Sequence, residues 1–325
     1  MKTALVTGGC GFIGSHFIDR FLKTHPDWRI INLDKLTYAG NPANTKRFDS
    51  DPRYEFVQGD ICDENIVGGV MKKAQAVVHF AAETHVDRSI ESSDDFLMTN
   101  IFGTRVLLDA SRKAGIERFV HVSTDEVYGS LETGSADEEA PLMPNSPYSA
   151  SKAAGDLLVR SYWVTFKHPG IIVRSTNNYG PYQFPEKVIP LFVTNLMENK
   201  KVPLYGTGEN SRDWIFVEDN VAAIELVFDK GETGQTYNIG AGNETTNCDL
   251  TKKILALMKR GEDMIQPVED RLGHDLRYSV KVDKVSKLGF RMEWSFEKGL
   301  QKTVEWYQQN TDWWKPLKKD KFTVK

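Results

Sequence analysis

The sequence has few cysteines, no long hydrophobic run and no strong excess of charge. Its three cysteines, Cys10, Cys62 and Cys248, lie far apart and match no metal-binding spacing, so we interpret them as free thiols and expect no metal site. No apolar run approaches the length of a transmembrane helix, and the strand-like segment Thr3–Thr7 leaves no room for a signal-peptide core. The net charge of −4 does not indicate a nucleic-acid-binding face. We therefore expect a cytoplasmic protein that binds neither membranes nor nucleic acid.

The first half of the 325-residue chain alternates between strand-like and helix-like segments. Apolar, β-branched runs occur at Ala4–Thr7, Arg29–Leu33, Tyr54–Val57, Ala76–Phe80, Arg118–Val122 and Gly170–Arg174. Helical spacing occurs at Phe12–Lys23, Glu64–Lys73, Asp94–Lys113 and Tyr148–Phe166. This alternation predicts an α/β fold with a doubly wound parallel sheet of the Rossmann type.

The second half changes in composition after about Ser175, where proline and glycine become frequent and the elements become shorter. We interpret residues 1–175 as one domain and residues 176–325 mainly as a smaller α/β domain that binds the substrate. A segment at about 208–230 is expected to return to the first domain. The C-terminal sequence from Trp313 to Lys325 is aromatic and then basic, which indicates a packed aromatic pair followed by a solvated terminus.

A glycine-rich loop, Gly8–Gly14, follows the first predicted strand and opens the first helix. Gly9, Gly11 and Gly14 match the G-x-G-x-x-G pattern, in which a pyrophosphate approaches main-chain N–H groups at a helix N-terminus. Asp34 lies twenty residues beyond Gly14, at the end of the second strand. Its carboxylate can accept both ribose hydroxyls of an adenosine and would repel a 2′-phosphate, so the pattern favours NAD over NADP. Lys35 weakens that preference slightly.

The predicted coenzyme site combines the glycine loop with residues that follow the next strands. Gly59-Asp60-Ile61 comes after the third strand and is placed to meet the adenine. The expected NAD-binding residues are Gly8, Gly11, Phe12, Ile13, Gly14, Asp34, Lys35, Thr37, Asp60, Ile61 and Ala81, together with Tyr148 and Lys152.

A group of potential catalytic residues begins at the end of the fifth strand. Tyr148 and Lys152 lie one helical turn apart, where the lysine ammonium would lower the pKa of the tyrosine and make it a general base, and the hydroxyl of Thr124 could share the developing charge. Asp125 and Glu126 add an acid and a base suited to eliminating water. Since neighbouring residues of a strand point to opposite faces, both carboxyls can reach one substrate only if the backbone leaves the strand at Asp125.

These residues resemble the extended short-chain dehydrogenase/reductase family in its nucleotide-sugar branch, and more narrowly the dTDP-glucose 4,6-dehydratases. The likeness runs from residue 3 to about 310 and rests on Leu33–Asn41, His79–Ser89, Ser123–Gly129, Asn177–Lys187 and Arg212–Trp214. It implies tightly held NAD and a closed redox cycle. Tyr148 would take the C4 hydroxyl proton, Glu126 the C5 proton, and Asp125 would protonate the departing C6 hydroxyl.

The two phosphates of a nucleotide sugar require cations, for which Lys187, Arg212 and Arg271 are candidates, with His274 nearby. The resemblance implies that Asn177, Asn247 and Tyr278 also line the substrate site and that Pro203 and Tyr205 flank the base. Thr84, His85 and Asp87 are expected to face the hexose or the nicotinamide.

The resemblance also implies a homodimer, because relatives pair two long helices of each subunit in a four-helix bundle. The corresponding segments here are Asp94–Lys113 and Tyr148–Phe166. Their apolar residues on more than one side include Phe96, Ile101, Leu107, Leu108, Leu157, Leu158 and Tyr162.

Other functions remain open on the sequence alone. A 4,6-dehydratase acting on UDP-glucose, a nucleotide-sugar 4-epimerase and a UDP-glucuronate decarboxylase are the nearest alternatives, and an NAD-binding regulator is a non-enzymatic one. The Asp125-Glu126 pair argues against the epimerase, and intact Thr124, Tyr148 and Lys152 argue against the regulator. The preferred nucleotide base is left undetermined.

Overall fold

The computed structural model describes residues 1–270 and 272–318, and its centre is a seven-stranded parallel sheet in the order β3-β2-β1-β4-β5-β6-β10. The seven strands are β1 (Lys2–Thr7), β2 (Trp28–Asp34), β3 (Tyr54–Gln58), β4 (Ala76–His79), β5 (Arg118–Thr124), β6 (Gly170–Ser175) and β10 (Thr236–Ile239). β1 and β4–β6 are almost wholly buried, as expected for strands covered on both faces. The predicted doubly wound fold is confirmed.

Helices cover both faces of this sheet and build the second half of the chain. They are α1 (Phe12–Thr24), α2 (Glu64–Met71), α3 (Val86–Glu91), α4 (Asp94–Phe96), α5 (Thr104–Ala114), α6 (Pro147–Phe166), α7 (Val188–Met197), α8 (Val217–Lys230), α9 (Asn247–Leu257), α10 (Asp283–Lys287), α11 (Phe296–Gln309) and α12 (Thr311–Trp314). Short 3₁₀ turns occur at Pro42–Asn44, Lys46–Phe48, Asp125–Tyr128 and Glu262–Met264.

The start of α6 is fixed by local sequence. Ser146 forms a capping box with Ser149, and Pro147 occupies the first turn, where its missing N–H costs no hydrogen bond. The helix ends at Lys167, which adopts a left-handed conformation. Tyr148 and Lys152 are therefore held on the first turns of a firmly capped helix.

The long helix expected over Asp94–Lys113 is interrupted by a π-helical segment, Leu97–Gly103, between α4 and α5. Asn100 within it bonds the main chain of Glu83 in both directions: Glu83 N donates to its Oδ1 at 2.9 Å, and its Nδ2 donates to Glu83 O at 3.0 Å. The altered hydrogen-bond spacing is not detectable from hydrophobic periodicity, because the apolar positions remain roughly helical. π-segments often occur at functional sites.

The second half of the chain adds two small sheets with their own core. One has the order β11-β9-β7, with β7 (Asn177–Tyr179), β9 (Ser211–Phe216) and β11 (Glu244–Thr246), and the other pairs β8 (Val202–Tyr205) with β12 (Ile265–Val268). Their core includes Phe192, Trp214, Leu250 and Tyr307. α8 and β10 instead pack into the core of the large sheet, so the chain crosses between the halves repeatedly. Within the described ranges, no helix is both long and apolar enough to cross a membrane.

Candidate active site

A cavity of about 310 Å³ opens at the carboxyl ends of the parallel strands and contains most of the residues singled out from the sequence. Ligands of doubly wound folds bind at this edge of the sheet. The predicted residues that line the cavity are Gly8, Gly11, Phe12, Ile13, Gly14, Asp34, Lys35, Thr37, Asp60, Ile61, Ala81, Thr84, Thr124, Asp125, Glu126, Tyr148, Lys152, Asn177 and Lys187.

The glycine loop is tightly folded, and two of its glycines leave no room for a side chain. Gly8 has a φ of +71°, and a Cβ there would lie 2.6 Å from the main-chain nitrogen of Ala81. A Cβ on Gly14 would lie 2.4 Å from the carbonyl oxygen of Gly8. The loop leads directly into α1, whose N-terminal N–H groups favour a negative ligand.

Asp34 lies at the end of β2 and is held by the main chain. Its Oδ2 accepts a hydrogen bond from the N–H of Cys10 at 2.9 Å, and its Oδ1 accepts one from Leu36 at 2.8 Å. Burial raises the pKa of Asp34, and these two hydrogen bonds oppose the increase. Lys35 pairs with Asp60 at 2.8 Å, so its charge is already balanced within the protein. The residues present therefore fit the adenosine ribose of NAD.

The two adjacent carboxyls lie on a turn rather than on a strand. β5 ends at Thr124, and the 3₁₀ turn Asp125–Tyr128 begins directly after it. The hydroxyl oxygen of Thr124 caps this turn by accepting a hydrogen bond from the N–H of Glu126 at 3.2 Å. At the other end of the turn, the hydroxyl of Tyr128 donates to Asn238 Oδ1 at 2.7 Å. The expectation that the backbone leaves the strand at Asp125 is confirmed.

Asp125 is the most deeply buried of the cavity's acids, and its environment favours the protonated form. Burial raises its pKa well above the usual range, and the nearby charges of Glu126 and Asp213 raise it further. Arg212 and the Thr124 hydroxyl act in the opposite direction. Asp125 therefore has the electrostatic character of a general acid.

The pairing of Tyr148 with Lys152 differs from the sequence-based expectation. Lys152 Nζ donates a hydrogen bond to the main-chain carbonyl of Val122 at 2.8 Å, and burial lowers the pKa of this lysine to about 8. The pKa of Tyr148 is raised rather than lowered, by burial and then by the charge of Glu126, while the Thr124 hydroxyl opposes the increase. The lysine charge is directed to the end of β5, which the sequence spacing alone could not show.

The residues predicted for the nucleotide sugar fall into two groups. Thr84, Asn177 and Lys187 line the cavity, and Lys187 Nζ donates to the carbonyl of Thr84 at 3.0 Å. Arg212 lies on β9 with its guanidinium 4.4 Å from the ring centre of Tyr278. Glu126 contributes, after burial, to a raised pKa of Tyr278, so this pair lies close to the acidic turn.

The remaining predicted residues lie outside the cavity lining. Pro203 and Tyr205 are on β8, and Asn247 begins α9. His274 Nδ1 lies 2.6 Å from Asp270 Oδ1, and its ring centre is 6.3 Å from that of Tyr205. His85 Nε2 lies 4.0 Å from Glu186 Oε2, and Asp87 is on α3. Arg271 is outside the described residues.

Polar cavity residues that were not selected from the sequence include Tyr38, Glu186 and Thr99. Tyr38 lies in the loop after β2, with the guanidinium of Arg88 3.8 Å from its ring centre. Glu186 is buried and accepts a hydrogen bond from Arg88 Nη2 at 2.9 Å. Thr99 reaches the cavity from the π-helical segment. Tyr38 lies in the Leu33–Asn41 motif and Glu186 in the Asn177–Lys187 motif. A diphosphate requires cations, so this requirement points to Lys187 in the second motif and not to Glu186.

Known proteins resemble this chain over nearly its whole length. The sequence profile of the family described as GDP-mannose 4,6 dehydratase matches residues 5–303. A dTDP-glucose 4,6-dehydratase from Streptomyces niveus is 51% identical over 319 residues, which cover 97% of this chain and 95% of that protein.

Solved structures agree with the sequence comparison. The crystal structure of a dTDP-glucose 4,6-dehydratase from Streptomyces venezuelae, with NAD bound, is 50% identical and has a TM-score of 0.96, covering 97% of this chain and 100% of that chain. The crystal structure of a dTDP-glucose 4,6-dehydratase from Bacillus anthracis in complex with NAD is 46% identical and has a TM-score of 0.92. The match covers 98% of this chain and 100% of that chain.

Proposed function

This chain belongs to the dTDP-glucose 4,6-dehydratase family, and from that premise we propose that it converts dTDP-glucose into dTDP-4-keto-6-deoxyglucose with bound NAD. The observation that carries the proposal is the capped turn that presents Asp125 and Glu126 beside Tyr148 in the cavity that fits NAD. An enzyme that only oxidises and reduces an alcohol has no need of a second acid and base.

Each side chain at the acidic turn has one proton-transfer role in this proposal. NAD, when bound, would supply a hydride acceptor for the C4 alcohol and, after the loss of water, a hydride donor for C6. Tyr148 accepts the proton of the C4 hydroxyl in its ionised form, which the positive charge of the nicotinamide would favour against the burial and the Glu126 charge that raise its pKa. The resulting ketone acidifies the hydrogen at C5. Glu126 removes that C5 proton, while Asp125 gives its proton to the C6 hydroxyl, which leaves as water. After hydride has been returned to C6, Glu126 gives a proton back to C5, which completes the 4-keto-6-deoxy sugar. The raised pKa of Asp125 supports this role, because the acid must hold its proton until the C–O bond breaks.

The nucleotide sugar is proposed to bind in the second half of the molecule. Residues 176–325 form most of this half, and residues 1–175 form most of the NAD-binding half. Of the segment expected to return at about 208–230, α8 packs on the large sheet, whereas β9, which carries Arg212, belongs to a small sheet of the second half. Arg212 and Lys187 supply positive charge for the diphosphate. Asn177, Thr84 and Tyr278 contact the sugar side, and the base lies toward Pro203 and Tyr205.

The activities named for the most similar relatives favour dTDP-glucose over UDP-glucose as the substrate. A curated dTDP-glucose 4,6-dehydratase shares about half of the residues of this chain, and the matched region includes the acidic turn and the Arg212 strand. We therefore propose thymine as the preferred base, with UDP-glucose as the weaker substrate. The same likeness supports a cytoplasmic enzyme.

The function can be tested by incubating the protein with dTDP-glucose in deuterated water, with no added NAD. We expect a 4-keto-6-deoxy product that contains deuterium at C5, because Glu126 exchanges its proton with solvent. A C4 epimer as product, or a reaction that requires a continuous supply of oxidant, would contradict the proposal. UDP-glucose in a parallel reaction tests the base preference.

We further propose a homodimer formed through the π-helical segment and α6. Phe96, Leu107 and Leu108, named above as apolar positions of the bundle, are buried within their own chain. Leu157, also named above, is exposed instead, as are other apolar side chains of the two helical segments: Leu97, Met98, Phe102, Val164 and Phe166. Apolar patches of this kind often mark protein–protein interfaces.

The dimer is tested by the substitution Leu157→Glu. Leu157 is 56% exposed, so a glutamate folds normally in the monomer but introduces a pair of like charges across a two-fold interface. We expect the dimer to dissociate about a hundredfold more readily, as measured by light scattering over a dilution series. Met292→Glu is the control, since Met292 is 45% exposed outside these helices. An unchanged mass for Leu157→Glu would exclude this interface.

A further inference from the structure

The C-terminal element of the second half contacts the coenzyme loop of the first half through a hydrogen-bonded path. Trp313 on α12 donates from Nε1 to Asn44 Oδ1 at 2.9 Å. Asn44 is buried, and its Nδ2 donates to the carbonyl of Cys10 at 2.9 Å. Cys10 belongs to the glycine loop, and its N–H bonds Asp34 as described above. The path therefore ends on the carboxylate that is expected to meet the ribose of NAD.

A second set of contacts joins the same two regions. Tyr182 lines the cavity and has a left-handed φ of +65°. Its ring centre lies 4.7 Å from that of Trp306 and 5.7 Å from that of Trp313. The preceding residue, Pro181, has its carbonyl 3.0 Å from Nε2 of His16 on α1. The aromatic side chains of α11 and α12 thus pack against the cavity, while Trp313 also bonds Asn44.

The hydrogen bond from Trp313 to Asn44 is not explained by packing alone. Aromatic side chains can pack in a buried cluster without forming a hydrogen bond. The only polar atom of the Trp313 side chain nevertheless donates to the buried amide of Asn44, which in turn bonds the glycine loop at Cys10. If the Trp313 donor were removed, Asn44 Oδ1 would lose a hydrogen-bond partner. The Asn44 side chain would then be less well fixed, and its hydrogen bond to the carbonyl of Cys10 would weaken. Hydrogen bonds that share a buried side chain are expected to depend on one another.

We infer that Trp313 is a positioning residue that acts through Asn44 and Cys10 to slow the release of NAD. This inference rests on the proposed use of NAD within a closed redox cycle, in which the coenzyme has to remain bound from oxidation until hydride return. The C-terminal element then links the half that binds the sugar to the loop that binds the coenzyme.

The test is the rate at which the purified holoenzyme releases NAD, measured by exchange of labelled coenzyme against an unlabelled excess. Trp313→Phe keeps an aromatic ring beside Trp306 and Tyr182 but removes the donor. We expect release to be roughly five- to thirtyfold faster, the lower part of the range that applies when a buried acceptor loses its partner. Asn44→Ala should have a similar effect. The double variant should release NAD no faster than the faster single variant.

Trp314→Phe is the matched control. Trp314 lies next in the chain and donates from Nε1 at the same distance of 2.9 Å, but its acceptor is the carbonyl of Tyr307 within the C-terminal region. This variant should unfold at a lower temperature and release NAD at the normal rate. Unchanged release from both Trp313→Phe and Asn44→Ala would overturn the inference, as would equal acceleration by Trp314→Phe. Because release is measured without turnover, a lack of dehydratase activity would contradict the proposed function and not this inference.

Discussion

The two ends of the cavity hold their key carboxyls in opposite ways. At the coenzyme end, each oxygen of Asp34 accepts a main-chain N–H, from Cys10 and from Leu36. At the sugar end, Asp125 Oδ1 accepts only the Thr124 hydroxyl at 3.3 Å, and Oδ2 is buried with no hydrogen-bond partner among the residues that the structure describes. Burial raises the pKa of both carboxyls, but two main-chain hydrogen bonds support the anion of Asp34, whereas the charges of Glu126 and Asp213 add to the raised pKa of Asp125 and favour its neutral acid.

The buried carboxyl of Asp125 lies in an environment that is unfavourable for folding. A buried polar atom without a partner destabilises the protein, so such atoms are uncommon and need an explanation. Next to Glu126 and Tyr148, the proposed function offers a chemical explanation, because a raised pKa would keep a proton on Asp125 for the leaving hydroxyl. The coenzyme end has no such requirement, since NAD needs only to be held.

The largest expected effect comes from removing the base at the sugar end. Glu126→Gln should slow exchange of the C5 hydrogen and product formation by about 10²–10⁴, the usual contribution of a positioned base. Binding of the sugar nucleotide, measured by calorimetry, should change little because the amide has the same size. Glu132→Gln, at an exposed position in the following loop, is the control. Rapid C5 exchange in Glu126→Gln would remove this residue from its role.

A smaller effect, on binding rather than on chemistry, is expected at the coenzyme end. Asp34→Asn should weaken NAD binding by about tenfold, because a charged acceptor of the ribose hydroxyls becomes a neutral amide. Its preference for NAD over NADP should also fall, since the repulsion of a 2′-phosphate is lost. Coenzyme titrations measure both quantities, with the exposed Asp27→Asn as control. If Asp34→Asn instead slowed turnover of the NAD-saturated enzyme, Asp34 would contribute to the chemical step. The distinction between a binding carboxyl at the coenzyme end and a proton-transferring carboxyl at the sugar end would then be wrong.

The smallest expected effect is one on stability. A carboxyl whose pKa is raised by folding favours the folded state at low pH, and this contribution is lost as the pH rises above the ordinary value of 3.8 and through the folded pKa. Asp125→Asn does not titrate, so it should increase the free energy of unfolding at neutral pH by about 0.5–2 kcal/mol. The gain should shrink as the pH falls toward 3.8. Urea unfolding at several pH values checks this, and a variant less stable than the unsubstituted protein at neutral pH would refute it.

The sequence predicted the coenzyme end better than the sugar end, for a physical reason. The glycine loop and Asp34 belong to one continuous strand–helix–strand unit, so their spacing along the chain determines their arrangement in space. The sugar end gathers Asp125, Lys187 and Arg212 from distant segments, and chain spacing does not determine which of these meet.

The sequence also did not predict the hydrogen-bond partner of Lys152 or the π-helical segment, because both depend on which groups bond each other in space. The spacing of Tyr148 and Lys152 correctly indicated a shared helix, but the lysine donates to Val122 rather than supporting the tyrosine. The π-helical segment that brings Thr99 to the cavity preserves the apolar pattern of an ordinary helix. The departure of the backbone from the strand at Asp125, by contrast, follows from the chemistry that the two carboxyls require, and the structure confirms it with a 3₁₀ turn at this point.

The most direct test of this contrast is a single turnover of Asp125→Asn loaded with NAD and mixed with dTDP-glucose. Without a proton donor for the C6 hydroxyl, oxidation at C4 should proceed while elimination stalls. We therefore expect the absorbance of reduced nicotinamide to rise and persist, with little 4-keto-6-deoxy product. A normal yield of product would contradict the account, and so would the absence of any reduced coenzyme, because either result would mean that Asp125 does not act specifically in the loss of water.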